Sequence, residues 1–484
     1  MSIAEATPVD STRVQEMQEA LDLQKEAFRN QGPPSYNQRI DRIDRVVALL
    51  VDHQQDIVDA LDADFGHRSA EQTLLADVAG SIESLKHAKK NLRSWMRPEK
   101  RSVQFPLGVF GARAHIQYEP LGTVGIISPW NFPVNLAISP LAGIFAAGNS
   151  ALLKPSELTP ATSALLADML NSAYDAEELR VFTGGPDVAG AFSGLPFDHL
   201  LFTGSTGIAR KVMAAAAPNL VPVTLELGGK SPVVVGRTAD LQKASDRILA
   251  GKTLNAGQIC LAPDYLLVPD GEESAFVEAA KQSVSKMYKT LRDNPDYSSV
   301  INERHYERLQ SLLDDAADAG AEIVELNPAQ ESFDKQEATH KMPPTLVLGA
   351  TSEMRVMQEE IFGPVLPVLS YKHVKEAIAH INGGPRPLAV YYFGNDSAEQ
   401  TRLLDQTTSG GVTVNDVIMH VSMEDLPFGG VGPSGMGRYH GVDGFKNFSN
   451  AKAVYSQTKS EVANMLRPPY GRRIRNLLSK QISK

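Results

Sequence analysis

Residues 120–154 read PLGTVGIISPWNFPVNLAISPLAGIFAAGNSALLK, and Lys154 is the first charged side chain among them. An uncharged run of that length could cross a bilayer. Its interior argues otherwise. Pro129, Pro133 and Pro140, with Asn131 and Asn135 among them, interrupt a continuous helix, and glycines punctuate both ends. The run predicts a buried strand over 123–128, an irregular loop, and a buried helix ending near Gly148.

Working outward, short β-rich runs at 151–154, 179–182, 199–203 and 221–227 alternate with helical patterns that start near Pro160 and Thr206. Strand–helix–strand alternation predicts parallel strands with helical crossovers, so the fold class is α/β and a doubly wound, Rossmann-type nucleotide-binding sheet is the leading candidate. Upstream, residues 11–31 and 36–63 show helical spacing, with Val46, Val47, Leu49, Leu50, Ile57, Val58 and Leu61 recurring at threes and fours. A second alternating block from 231 to about 444 has strands near 232–235, 265–268, 345–348, 365–371 and 388–393, enough for a second α/β domain. Residues 101–120 and 448–457 read as extended arms.

The chain has 484 residues, about three domains' worth, or two large ones with an arm. Its 47 basic and 57 acidic side chains give a net charge of −10, so no excess of cations exists to neutralise nucleic-acid phosphates. Near the N-terminus Glu5, Asp10, Glu16 and Glu19 accompany no apolar h-region, so the expectation is a cytoplasmic protein without a secretory signal. From Arg467 onward come Arg472, Arg473, Arg475, Lys480 and Lys484 without an acid. A solvated basic helix is the main reading there, and contact with a membrane surface or a partner is the other.

The single cysteine, Cys260, excludes an intramolecular disulfide and a thiolate metal cluster, and the 11 histidines show no HxH or HExxH spacing, so no metal is expected. No GxSxG elbow is present either. Cys260 lies in Asn255-Ala256-Gly257-Gln258-Ile259-Cys260-Leu261-Ala262-Pro263, a turn or helix end where a thiol can be held at a cavity wall; a lone cysteine is otherwise a small buried apolar residue. Glu226-Leu227-Gly228-Gly229-Lys230 puts a carboxylate at a strand's carboxyl end, where crevices of open α/β sheets form. Phe202-Thr203-Gly204-Ser205-Thr206-Gly207 joins a strand to a helix start, whose free amides favour phosphate.

These segments, with Pro129-Trp130-Asn131-Phe132-Pro133, Lys154-Pro155-Ser156-Glu157, Glu359-Glu360-Ile361-Phe362-Gly363-Pro364 and Pro427-Phe428-Gly429-Gly430, resemble the aldehyde dehydrogenase superfamily in kind and order over about residues 120–450. Thr206-Gly207, Ala262-Pro263-Asp264-Tyr265 and Gly435-Met436-Gly437 look like its class 3 branch, and within that branch the chain is similar to bacterial coniferyl aldehyde dehydrogenases. The resemblance implies a nucleotide-binding domain (1–100 and 121–228), a catalytic domain (229–447), and an oligomerisation arm with a C-terminal tail (101–120 and 448–484). It also implies a homodimer.

The same resemblance implies oxidation of an aldehyde to an acid through a thiohemiacetal and a thioester on Cys260. Asn131 and the Cys260 N–H would serve as oxyanion donors, and Glu226 as the base that activates water. A thiol of ordinary pKa is only about 3% ionised at pH 7, so the helix-end setting and a neighbouring base are expected to help deprotonate it. Lys154 and Glu157 would reach the adenine ribose of NAD, Ser205 the diphosphate, Glu360 the nicotinamide ribose and Phe362 the nicotinamide ring. Trp130, Ser156, Gly204, Leu227 and Gly228 belong to the same expected cofactor site. Gly207 stands where many relatives carry a larger or acidic residue, and Ala209 where glycine is frequent. That leaves room for NADP, while Glu157 would repel a 2′-phosphate, so NAD ranks first. The implied substrate is coniferaldehyde or a related aromatic aldehyde. The alternatives are medium or long aliphatic aldehydes, ester hydrolysis through the same cysteine, and a relative that binds nucleotide without turnover.

Overall fold

The uncharged run folds as strand, loop and helix in the computed structural model, which describes residues 11–483 apart from 106, 335, 337, 338, 460–463, 465 and 466. Glu5, Asp10 and Lys484, used above for charge, lie outside the described residues. The strand Thr123–Ile127 is buried throughout, and the helix Asn135–Ala147 is apolar nearly all round and so sits in the core. It stops at Gly148, which takes the left-handed conformation (φ 92°) and donates its N–H to Phe145. One expectation is corrected: Pro140 does not interrupt the chain but lies inside this helix. The lost ladder bond is outweighed by burial of the helix on all sides, and the interruptions fall at Pro129 and Pro133.

A six-stranded sheet surrounds this unit in the order 435–436, 223–227, 199–204, 123–127, 150–154, 179–181, parallel except for the two-residue first strand. From Thr123–Ile127 the chain runs outward through Ser150–Lys154 and Leu179–Val181, then returns to place His199–Gly204 on the other side. The order therefore reverses at Thr123–Ile127, and the crevice of such a sheet opens at the carboxyl ends around that point. The helical spacing over 36–63 becomes two helices, Tyr36–Asp52 and Gln54–Phe65, broken at His53. A π-helix, Thr73–Ala79, follows and leads into Gly80–Trp95.

The second sheet has seven strands in the order 322–325, 345–348, 365–371, 265–269, 232–235, 389–393, 411–414, parallel except for the first. Only residues 228–231 separate the carboxyl end of Val223–Leu227 from the amino end of Pro232–Val235. The carboxyl edge of the first sheet thus abuts the amino edge of the second. The two arms pair with each other: Arg113–Pro120 runs antiparallel to Ser449–Ser456 and also to Glu99–Arg101. The basic terminal stretch is a helix, Arg472–Ile482, whose Ile474 is buried while its arginines are exposed. Among the described residues no helix is long and apolar enough to cross a membrane.

Candidate active site

Four strands of the first sheet end in residues singled out by sequence. Thr123–Ile127 leads into Trp130 and Asn131, and Ser150–Lys154 ends in Lys154. His199–Gly204 hands over to Ser205, and Val223–Leu227 ends just before Gly228. The loop carrying Cys260 precedes the strand Tyr265–Pro269 of the second sheet, on the edge that meets these ends.

That loop is bent at a conformational cost. After the helix Leu241–Thr253, Asn255 and Ala256 take left-handed dihedrals (φ 48° and 50°), and Gly257 follows at φ 73°. Each non-glycine residue held there costs on the order of 1–3 kcal/mol. Gln258, fully buried, stabilises the bend: Nε2 donates to the carbonyls of Asn255 and Ser299 (2.9 Å each), and Oε1 accepts from Ile301 N at 3.0 Å. A side chain at 257 would come within 2.4 Å of the Gly363 carbonyl, so only glycine fits.

Cys260 is half-buried. Desolvation, with Glu226 and Glu360 nearby, pushes its thiol well above the ordinary cysteine range, and backbone amides of Cys260 and Leu261 only partly oppose this. The amides of this turn favour the thiolate, as expected, but they are outweighed. Desolvation, with the two carboxylates beside it, is the larger effect and disfavours the charged form.

Asn131 is 4% exposed, and its Nδ2 donates to the Gln258 carbonyl at 3.0 Å. Its own carbonyl accepts from Arg68 Nη1 (2.6 Å) and from Asn255 Nδ2 (3.0 Å). Arg68 also donates from Nη2 to Asp77 at 2.8 Å, an ion pair whose two side chains are wholly buried. The guanidinium lies over the rings of Phe65 and Phe132. Asp77, in the π-helix, accepts with its other oxygen from the N–H groups of Val134 and Asn135 (3.1 Å each). Removing one partner of such a pair typically costs about 3–5 kcal/mol. Nothing in the periodicity marked Arg68 or Asp77, because an isolated charge beside a helix end reads as a solvated one.

Glu226 is 1% exposed, and neither carboxylate oxygen has a hydrogen-bond partner among the described residues. Burial raises its pKa well above the ordinary value, and Arg438 pulls only weakly the other way. Arg438 belongs to a glycine-rich turn that lies directly on Glu226's strand: Gly435 pairs with Glu226, and Arg438 Nη1 donates to the carbonyls of Gly430 (2.8 Å) and Gly437 (2.7 Å). Glu360 is half-buried, with Oε1 enclosed and without a partner among the described residues; desolvation raises its pKa to about 7, and the nearby Gly229 amide opposes this. Its carboxylate occupies the space a side chain at 228 would fill.

Lys154, Ser156, Glu157 and Ser205 lie at the carboxyl edge of the first sheet, and Phe362 precedes the strand Val365–Tyr371 of the second. Lys154 is buried and donates from Nζ to Glu157 Oε2 at 2.9 Å, while the Glu157 side chain is 38% exposed. Ser156 Oγ shapes a local turn by accepting from Leu158 N at 3.2 Å. Ser205 caps the helix Thr206–Ala216, accepting from Ile208 N at 3.4 Å, and a Cβ at Gly207 would meet nothing within 4 Å. Phe362, at φ 49°, stands edge-on to Trp130 with ring centroids 5.4 Å apart. His305, missed by sequence reading, packs 5.0 Å from Trp130, and its buried Nε2 has no hydrogen-bond partner among the described residues. The orphaned oxygens of Glu226 and Glu360 and the open backbone at Gly207 fit a polyhydroxylated, diphosphate-bearing cofactor laid across the strand ends. No group of three or more His, Cys, Asp or Glu side chains suited to a metal occurs among the described residues.

Residues 4–454 match the model of the aldehyde dehydrogenase family. The chain is 58% identical over 471 residues to a Caulobacter vibrioides protein named "Probable coniferyl aldehyde dehydrogenase", covering 97% of each chain. It is 51% identical over 465 residues to the coniferyl aldehyde dehydrogenase of a Pseudomonas species, covering 96% of each. A substrate-bound state of Staphylococcus aureus AldH superimposes with a TM-score of 0.90 at 36% identity, covering 96% of this chain and 99% of that one. A Pseudomonas syringae indole-3-acetaldehyde dehydrogenase mutant in complex with NAD+ and IAA gives a TM-score of 0.81 at 26% identity, covering 92% of this chain and 89% of the other.

Proposed function

The chain belongs to the aldehyde dehydrogenase family, and on that premise we propose that it oxidises coniferaldehyde or a related aromatic aldehyde to its acid, with NAD as the preferred oxidant. The observation that carries this reading is the buried Glu226 carboxyl at the end of its strand, with no hydrogen-bond partner among the described residues. Cys260 Sγ bonds to the carbonyl carbon as the thiol proton departs to a nearby base. The Asn131 amide and the Cys260 N–H receive the negative charge that develops on oxygen; losing one such donor costs on the order of 10²–10³ in rate. Bound NAD+ supplies the acceptor for the hydride that leaves this carbon. Glu226 then takes a proton from water as the water oxygen attacks the thioester, the C–S bond breaks, and the acid is released. A raised pKa improves a base that works near neutrality. Transfer of the acyl group to a coenzyme A thiol would not need this carboxylate, so its presence supports hydrolysis.

In this reading residues 1–100 and 121–228 hold the nucleotide through Lys154, Glu157 and Ser205, with Trp130, Ser156, Gly204, Leu227 and Gly228 lining the cradle, and Glu360 and Phe362 reach it from the catalytic domain. Residues 229–447 present Cys260, and the paired arms join two subunits into a homodimer of the cytoplasm. The coniferyl assignment rests on the two bacterial relatives, and the cofactor on the NAD-bound structural neighbour. The test is NADH formation by wild type and Cys260→Ala, with kcat/KM compared between coniferaldehyde and octanal. Loss of activity in the variant and preference for coniferaldehyde are expected. Equal rates in the two proteins would overturn the mechanism, and a large preference for octanal the substrate.

A further inference from the structure

We propose that Arg68 and Asp77 are positioning residues for the oxyanion site: the buried pair locks the Asn131 backbone onto the Cys260 loop, so that the Asn131 amide is oriented before an aldehyde arrives. This rests on the reading of Asn131 as an oxyanion donor.

The bonds form a closed circuit. Arg68 Nη1 and Asn255 Nδ2 converge on the Asn131 carbonyl at 2.6 and 3.0 Å. The Asn131 amide donates back to the Gln258 carbonyl at 3.0 Å, two residues before Cys260. Asp77 holds the other end of the guanidinium and also the N–H groups of Val134 and Asn135, so both sides of the Asn131 turn are fastened to one carboxylate. Ser69 N donates to Ser298 Oγ, and Ser299 N donates to the His67 carbonyl, so the segment bearing Arg68 also grips the loop that anchors Gln258. An amide has two N–H donors. One is committed to Gln258, which fixes the plane of the group, and the other remains for a substrate oxygen. Arg68 does not touch the substrate position through any of these bonds. It acts through Asn131, and only a planar fork can bind Asp77 and the carbonyl together.

The experiment is a double-mutant cycle on the acylation step, read as the first turnover of NADH in a stopped-flow instrument. The proteins are wild type, Arg68→Lys, Asn131→Ala and the double variant, with the NAD+ dissociation constant and thermal midpoint measured in parallel. Arg68→Lys is expected to slow acylation at least tenfold while NAD+ affinity changes less than twofold. In the Asn131→Ala background the same change is expected to slow it less than twofold, because the group being positioned is gone. An equal slowing in both backgrounds would show a merely structural role and overturn the inference, as would no slowing in either. Wild-type acylation in Asn131→Ala would instead remove the oxyanion reading, and this inference with it. Should Arg68→Lys fail to fold, Asp77→Asn in the same cycle decides by the same criteria.

Discussion

Replacing Gly228 by alanine adds one methyl group where the structure has no space for it. An ideal Cβ at 228 lies 2.0 Å from Glu360 Oε1, 2.4 Å from Oε2 and 2.5 Å from Cδ. Ordinary contact begins near 3.4 Å, so the carboxylate must retreat by about 3.4 − 2.0 = 1.4 Å, or the backbone at 228 must move away from it. Either shift displaces the Glu360 carboxylate from its enclosed position beside the backbone at 228. A misplacement of about 1 Å at a reacting centre can cost on the order of 10² in rate. The variant should therefore lose about 10²-fold in kcat/KM for NAD+, near 2.7 kcal/mol. The assay is NADH formation at saturating aldehyde against NAD+ concentration. It is repeated in Glu360→Ala, where every colliding atom has been removed. There the alanine at 228 should add less than a twofold loss. Wild-type kcat/KM in Gly228→Ala, or an undiminished loss in the double variant, would refute the reasoning.

Glu226→Gln should give a burst of NADH stoichiometric with active sites, followed by turnover slowed by about 10²–10⁴, since acylation survives and water loses its base; a steady rate equal to wild type would contradict this. The Glu360 carboxyl is raised to about 7, so the folded state binds its proton more tightly than the unfolded chain does. That contribution is complete below about pH 4.5 and lost as pH rises through about 7, so thermal midpoints should favour Glu360→Gln over wild type at pH 8.5 and converge below pH 5. Glu157→Gln should raise the NADP+-to-NAD+ ratio of kcat/KM at least tenfold by removing the carboxylate beside Lys154, and an unchanged ratio would place the adenine ribose elsewhere.

The sequence was most informative where one physical signal dominated. Strands such as Thr123–Ile127 and Ser150–Lys154 are apolar because both faces are covered, and punctuation by Pro160 and Gly148 marked where helices begin and end. Cys260 and Glu226 stood out as chemically unusual residues in glycine-bounded turns. What stayed hidden depends on contacts between distant segments. Pro140 inside a helix is tolerated only because the core surrounds it, and the break at His53 leaves the apolar spacing on both sides intact. The upward push on the thiol was not legible, because the proximity of Glu226 and Glu360 exists only after two sheets abut. Arg68 carried no local mark because its guanidinium, Asp77 aside, bonds the main-chain carbonyl of a distant residue, Asn131.

The carbonyl of Asn131 waits for a donor from 63 residues earlier and another from 124 residues later. During synthesis on the ribosome the first donor emerges well ahead of the second. A nascent chain, or one cut short before residue 255, therefore lacks half of the frame, and any chain ending before residue 260 lacks the thiol as well. In the proposed reading such a chain has neither a complete frame for the oxyanion donor nor the sulfur that would hold the acyl group.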